Sequence, residues 1–345
     1  MKRDLFKILL KFLIIFIMLF GMHFIYSEYF LEKDLQKHSS IINKVYDISD
    51  SCEILYLGES SNVTTGYRDK SKLSISGFLA ELLPDKKVCD ITKGALHADI
   101  YYVLLSKIPE NNNINTVIVT MNLRSFSAHW LYSHLETSLM KSMVLLRNRP
   151  ALLNRFLLSF KGYDLKTPEE RDRQVIRKWE REHYKLPFDF PYKNLNDWDA
   201  DAWKNGSWNA DGTRDLTKRK LAAHYVKAFG FIIKPENSSR ISDFDKIVDL
   251  CKKRKWNLVF NLMAENTEKA EQLLGKRIKY FFEFNRKLLI NRYQKEGVIV
   301  CDNLYALTDS LFIDQNWTTE HYYEAGRKKI AEKLAEIVLG IYKQK

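Results

Sequence analysis

The chain has 345 residues, 46% of them hydrophobic and 13% aromatic, which is enough apolar side chain to bury one large core, with or without a sizeable insertion. Lysine and arginine outnumber aspartate and glutamate 55 to 43, a formal charge of +12 that favours an anionic polymer or a membrane surface as neighbour. No zinc-finger spacing or RNA-binding motif accompanies that charge, so nucleic acid is not an expected partner, and runs such as Lys252-Lys-Arg-Lys255 read as solvated helix faces.

The N-terminus begins Met1-Lys-Arg-Asp-Leu-Phe-Lys7 and continues as an apolar stretch from Ile8 to Tyr26, broken only by Lys11 and His23. A helix of that length reaches about 28 Å, enough for one membrane crossing, and Lys11 can snorkel to the headgroups. Because the positive charges come first, residues 1–7 are expected in the cytoplasm and everything after Tyr26 outside the cell membrane. The exit sequence Met22-His-Phe-Ile-Tyr-Ser-Glu lacks a small-x-small cleavage site, which favours an uncleaved anchor over a signal peptide. The organisation expected is therefore a tip and transmembrane anchor over 1–27, a polar stalk over 28–50 and a folded domain over 51–345.

Within that domain a βα alternation begins at Glu53–Gly58, a short apolar run ending in glycine, as a buried parallel strand should. A helix from Ser76 to Leu83, a strand from Lys87 to Ile91, a helix from Leu96 to Ile108 and a strand from Thr116 to Met121 follow. The rhythm breaks over 123–240. It resumes with a helix from Asp243 to Lys253, a strand from Asn257 to Met263, a helix from Thr267 to Gln294, a strand from Val298 to Asp302 and a last helix from Tyr323 to Tyr342. Strands alternating with helices imply right-handed crossovers and a parallel sheet. The fold class expected is α/β, a three-layer α/β/α arrangement around a five-stranded parallel sheet, with a large, mainly helical insertion after the third strand.

The insertion carries Leu135, Leu139, Met143 and Leu146 at helical spacing, which predicts packing on the core, with an interfacial or partner-binding face as the alternative. Trp179, Trp198, Trp203 and Trp208 follow; such residues pack more often than they stack on sugars. Cys52, Cys89, Cys251 and Cys301 show no CxxC pairing and read as small buried hydrophobes, and a Cys52–Cys89 disulfide is not decidable from sequence. Sequons at Asn62, Asn205, Asn237 and Asn316 are expected to be unused, which suits a bacterial chain.

Two segments carry chemistry. Leu57-Gly-Glu-Ser-Ser-Asn62 stands immediately after the first strand, where a serine at a strand-to-helix turn projects its hydroxyl from the carboxyl end of the sheet, the rim at which open α/β folds bind ligands. Many such serines are merely helix caps. Asp314-Gln-Asn-Trp-Thr-Thr-Glu-His-Tyr-Tyr-Glu-Ala-Gly326 precedes the last helix and sets a histidine just ahead of it. Between them, Gly94 follows the second strand in Ile91-Thr-Lys-Gly-Ala, and Asn122 follows the third in Val119-Thr-Met-Asn-Leu-Arg. These four stations, in this order on these element ends, resemble the SGNH/GDSL hydrolase superfamily over residues 52–122 and 243–343.

The resemblance implies a flavodoxin-like fold with Ser60 as nucleophile and His321 as its base. The backbone N–H groups of Ser60 and Gly94 and the side-chain amide of Asn122 would form the oxyanion hole. A serine hydroxyl needs an imidazole within hydrogen-bond reach to remove its proton, and the tetrahedral oxyanion needs fixed donors. The sequence departs from the family twice: Glu59 replaces the aspartate before the serine, and Thr318 stands three residues before His321, where an aspartate is usual. The third member of the site is left between Asp314, Glu320 and a backbone carbonyl; Asp314 is preferred because it lies outside the last helix, while Glu320 suits that helix's N-terminus.

A single N-terminal anchor with an outward domain is similar in architecture to the superfamily's cell-envelope branch, which includes the teichoic-acid D-alanylation and alginate O-acetylation proteins. That likeness implies an anionic or neutral cell-envelope polysaccharide as substrate and a multi-pass membrane O-acyltransferase as partner, in an O-acyltransferase or esterase reaction. A catalytically silent membrane scaffold, and a membrane lipase or thioesterase, are the competing readings. Arg124 is a candidate for an anionic substrate group, against a structural ion pair. His97 reads as a surface or packing residue, and His129, His134, His183 and His224 show no metal-ligand spacing. No metal and no cofactor are expected.

Overall fold

The apolar N-terminal stretch folds as one helix, α1 (Lys2–Tyr29), and its span Asp4–Tyr29 is long and apolar enough to cross a membrane. The computed structural model describes residues 2–39, 41–48, 51–209, 211–318 and 320–343. It divides into two compact units, 1–47 with 137–166, and 48–136 with 167–345.

In the first unit, α1 packs on the helices Leu31–His38 and Ala151–Ser159. The Tyr26 hydroxyl donates to Asp34 at 3.0 Å, and Arg155 pairs with the same carboxylate at 2.7 Å, so the end of α1 is tied to both. The expected stalk is thus largely helical, continuing through Ile41–Tyr46 with Ile41, Ile42 and Val45 buried; residues 49 and 50, its last two, lie outside the described residues. Of the insertion's helical stripe, Leu139, Met143 and Leu146 are buried and Leu135 is exposed, but the segment 137–166 groups with the N-terminal helices.

The second unit is built on five parallel strands, β1 (Ile54–Gly58), β2 (Val88–Thr92), β3 (Thr116–Met121), β4 (Asn257–Leu262) and β5 (Ile299–Asp302), in the order β2-β1-β3-β4-β5. That is the flavodoxin-like order. Ile54 lies beside both Val88 and Thr116, Val117 beside Leu258, and Val259 beside Ile299. The pattern of burial explains the composition. β1 and β3 are buried at every position and β4 at all but its first, whereas the edge strands β2 and β5 carry Asp90 and Ile299 at exposed positions.

Helices cover both faces. On one, α2 (Ile75–Leu82) packs with the C-terminal helix (Glu324–Lys343), so that Ile330, Leu334 and Val338 join Ile54, Tyr56, Ile118 and Val259 in one core. On the other, α3 (Ala98–Ser106) packs with α4 (Ser239–Arg254), whose Phe244 meets Phe260 of β4 edge-on at 5.1 Å. α5 (Arg277–Lys295) contributes Tyr293 against the same Phe260 ring, and the C-terminal helix is α6. The α/β/α arrangement read from the sequence is the one found. Trp179 and Trp198 are buried, the latter among Phe190, Tyr192 and Phe281, while Trp203 is exposed.

One buried arginine closes the loop after β1. Arg327 of α6 is fully buried, and its guanidinium donates to the carbonyls of Leu73, Thr64, Ser71 and Tyr322 and to the Asp69 carboxylate. Burial opposes charge on Asp69, yet the Glu324 N–H, Arg327 and the Gly66 N–H hold its carboxyl below the usual range. Breaking such a pair leaves an uncompensated buried charge. Arg327→Leu is expected to cost about 3–5 kcal/mol of unfolding free energy, measured by urea denaturation of the full chain in mild detergent; a loss below about 1 kcal/mol would show that the loop does not depend on it.

Candidate active site

The end of β1 is shaped by Gly58. A Cβ there would lie 2.8 Å from the Thr92 hydroxyl and 2.9 Å from both Asn62 and the Tyr56 ring, so no side chain fits where the chain turns. Glu59 follows in extended conformation and Ser60 opens the short helix Ser60–Val63. Asn62, fully buried, pins that turn: its amide donates to the hydroxyls of Ser76 at 3.0 Å and Thr92 at 2.8 Å, and its carbonyl accepts from the Ser76 N–H at 2.9 Å. The sequon asparagine at this position is thus buried structure.

His321 arrives from the far end of the chain. The Ile313 N–H donates to the His321 carbonyl, Phe312 bridges to Tyr322 in antiparallel fashion, the Tyr322 hydroxyl donates to the Ala264 carbonyl, and Arg327 grips the Tyr322 carbonyl. So held, the His321 Nε2 lies 2.9 Å from the Ser60 Oγ, and its Nδ1 lies 2.8 Å from the Asp314 carboxylate. Of the three options the sequence leaves open for the third member, the geometry brings Asp314 to the ring. Thr318 is buried in the intervening loop.

Gly94 sits beside the serine, since a Cβ on it would be 3.9 Å from that of Ser60. The next residue, Ala95, has φ +66°, a left-handed conformation that costs a side-chain-bearing residue about 1 kcal/mol or more and is found where a functional loop is held against its preference. Asn122 is buried at the end of β3; one hydrogen of its amide goes to the Glu59 carboxylate at 2.8 Å, leaving the second for another acceptor.

Of the two readings left open for Arg124, the structural ion pair is the one present, in place of the substrate contact: its guanidinium bonds Glu320 at 2.8 Å and lies over the Trp130 ring. The expectation for Glu320 is corrected. Glu320 does not serve the last helix, which begins at Glu324; it is 2% exposed and turned inward to that arginine. Both follow from burial, because a charge removed from water must be paired. His97 is a packing residue. It is buried against Glu136 at 2.6 Å and contacts Arg240, which also bonds Glu136 and the Ser125 carbonyl, so the loop bearing Gly94 is tied to the one bearing Asn122. Burial, reinforced by Arg240, lowers the His97 pKa.

Glu265 and Trp317 are residues that sequence reasoning missed, and the grouping of Glu59 and Glu320 with Arg124 was equally hidden. Glu59, Glu265 and Glu320 are buried beside the partly covered Arg124; burial first, then Glu320, pushes the Glu59 carboxyl up to about 7 and Glu265 well above its usual range. Burial works against the charge on Arg124, but the three carboxyls raise its pKa. Trp317, half exposed in the loop between Asp314 and His321, rests on the His224 ring with centroids 4.1 Å apart. Burial, then Lys227 and His129, lowers the His224 pKa to about 4, so that ring is neutral at pH 7. Among the described residues, no group of three or more His, Cys, Asp or Glu is placed to hold a metal ion, and all four cysteines are free.

No family model and no curated protein matches this chain. Solved structures similar to it include a lipase/acylhydrolase from Enterococcus faecalis, at 8% identity over 84% of this chain and 96% of that one with a TM-score of 0.36. An acetylxylan esterase from Geobacillus stearothermophilus is 9% identical over 84% and 95%, with a TM-score of 0.38. A GDSL-like lipase from Parabacteroides merdae is 9% identical over 83% and 94%, with a TM-score of 0.37. Likeness at this level carries no argument about chemistry, which rests on the side chains themselves. For the turn that presents Ser60, Asn62→Ala strands a buried N–H and two hydroxyls and is expected to cost about 1–3 kcal/mol; an unchanged thermal midpoint would show that this amide does not hold the turn.

Proposed function

We propose that this chain is a membrane-anchored acyl-transfer enzyme of the SGNH/GDSL type, an O-acyltransferase or esterase acting on a cell-envelope polysaccharide. The observation that carries the reading is the continuous relay Asp314–His321–Ser60, with links of 2.8 and 2.9 Å. A carboxylate that fixes the imidazole and an imidazole bonded to a serine hydroxyl form the arrangement that activates serine toward a carbonyl. With an aspartate missing at position 318, a catalytically silent scaffold is the competing reading; Asp314 in contact with the ring supports the enzyme over it.

In this mechanism the Ser60 Oγ attacks the acyl carbonyl as its proton passes to the His321 Nε2. The tetrahedral oxyanion lies against the backbone N–H groups of Ser60 and Gly94 and the free amide hydrogen of Asn122; each such donor contributes about 2.7–4 kcal/mol of barrier lowering. Collapse breaks the bond to the leaving alkoxide, which takes the proton from His321 and departs as an alcohol. The acyl-serine then meets water or a sugar hydroxyl, whose proton His321 removes, and the new acid or ester leaves with Ser60 restored. Asp314 stabilises the imidazolium in both halves.

The anchor and the charge supply the setting. Lysine and arginine ahead of the apolar span direct the domain outward, and a net charge of +12 suits an anionic envelope polymer, though a neutral one fits as well. The exposed Trp317 ring offers a face for a sugar. An acyl donor on the outer surface is most simply provided by a multi-pass membrane O-acyltransferase as partner.

Full-length chain in detergent is expected to label with a fluorophosphonate probe, and Ser60→Ala to lose that labelling. Asp314→Asn should lower turnover of acetylated oligosaccharide by about 100-fold or more, as loss of the orienting carboxylate does elsewhere. Equal labelling of wild type and Ser60→Ala, or none in either, removes the reading.

A further inference from the structure

The three loops that carry Ser60, Asn122 and His321 each turn one charged side chain into the same buried place. Glu59 precedes Ser60, Arg124 follows Asn122 by two positions, and Glu320 precedes His321. Glu265, just beyond β4, completes the group. Glu59, Glu265 and Glu320 are 3%, 1% and 2% exposed. Their contacts cross between loops: the Asn122 amide donates to Glu59 at 2.8 Å and Arg124 donates to Glu320 at 2.8 Å, while one oxygen of Glu265 and one of Glu320 are buried without a hydrogen-bond partner. A buried carboxyl oxygen with no donor beside it is far less costly as part of a protonated acid than of a charged carboxylate.

Charge counting leads the same way. One guanidinium cannot neutralise three carboxylates, and like charges buried together do not all ionise. Around Glu59 stand also the phenols of Tyr56 on β1, Tyr101 on α3 and Tyr322 ahead of α6, all three neutral near pH 7, while the buried Arg240, which also acts on Tyr101, is already paired with Glu136. None of them can supply a compensating positive charge.

Resting on the acyl-transfer reading, we propose that Glu59, Arg124, Glu265 and Glu320 form a proton-holding positioning cluster: while the bound proton stays, the cluster keeps the Asn122 amide and the His321 loop in register with Ser60. When the proton leaves to solvent, the carboxylates repel one another across the three loops. Glu59 also then sets a full negative charge behind the very amide that must meet the oxyanion. These four are positioning residues, acting through Asn122 and His321. The Glu59 carboxyl, pushed up to about 7 by burial and by Glu320, gives the pH at which the register is expected to slacken.

The test compares full-length wild type, Glu59→Gln and Glu265→Gln in detergent, each amide being an uncharged stand-in for the protonated acid. The rate of fluorophosphonate labelling at Ser60 is read from pH 5 to 9, and thermal midpoints are read over the same range. In the wild type the rate is expected to fall roughly tenfold between pH 7 and 9, with less than a twofold change in either variant. A merely structural role would lower rates equally at every pH, and parallel profiles in all three proteins overturn the proposal.

The stability arm needs no catalysis. A carboxyl whose folded pKa is raised binds its proton more tightly in the native state, so its contribution to stability is full below the ordinary carboxylate range and is lost as pH climbs to about 7. The wild-type midpoint should therefore decline more steeply than that of Glu59→Gln between pH 5 and 7. If the wild type is unreactive at every pH, the acyl-transfer reading falls, and identical pH dependence of the two midpoints then separately overturns the shared proton.

Discussion

The chemistry proposed depends on one rim of one sheet, where a hydroxyl and an imidazole 261 positions apart in sequence come within 2.9 Å. That contact is a consequence of the fold and not its cause. A hydrogen bond contributes about 0.5–1.5 kcal/mol net, whereas burying one Val, Leu, Ile or Phe side chain contributes about 1.5–3 kcal/mol. β1, β3 and β4 bury such residues on both faces. Because helical crossovers make all five strands run the same way, the carboxyl ends of β1, β3 and β4 must open on the same edge, and Ser60, Asn122 and Glu265 follow from that constraint alone.

Two arginines then treat the rim in opposite ways. Arg327 has one carboxylate and four carbonyls around a single guanidinium, so its hydrogen-bonding capacity is used and its charge matched. Arg124 faces three carboxyls, with its own Nε left without a partner. The first is a clamp that gains from being complete. The second is an imbalance, which is tolerable only with a bound proton. A fold selected for stability alone would replace such a cluster with apolar side chains at little cost or some gain. Its place directly behind the serine, the asparagine and the histidine is where strain and unmatched charge have a use, and the left-handed Ala95 beside Gly94 belongs to the same pattern.

The fold was legible because its signals are local. Five apolar runs of strand length between amphipathic helices yield the sheet, and each expected strand lies within one residue of the observed one. Ser60, Gly94 and Asn122 were legible as residue types at strand ends, and His321 as a histidine ahead of the last helix. What the sequence hid depends on side-chain direction after folding. Arg124 is two residues beyond Asn122, and nothing in Leu123-Arg-Ser says whether a guanidinium points to a substrate or back toward Glu320. Glu265 stands in an unremarkable Met263-Ala-Glu-Asn stretch, and its role exists only because β4 ends at the same rim. The grouping of 137–166 with the N-terminal helices is likewise a long-range outcome, since an amphipathic stripe says that a helix is covered but not by what.

The position of the acid follows from the backbone between 312 and 322. There the chain goes out and comes back on itself: Phe312 bridges to Tyr322, and the Ile313 N–H donates to the His321 carbonyl. That antiparallel pairing sets residue 313 opposite residue 321, so the side chain of the next residue, Asp314, comes level with the imidazole. Thr318, three residues before the histidine, falls in the loop beyond the pairing. A carboxylate at 318 would reach the ring only if the segment formed a tight local turn; with an out-and-back loop, the acid has to stand where the two strands of the loop part. The same excursion carries Trp317 out to the His224 ring, so a single backbone feature sets both the Asp314 carboxylate against the imidazole and the Trp317 ring against His224.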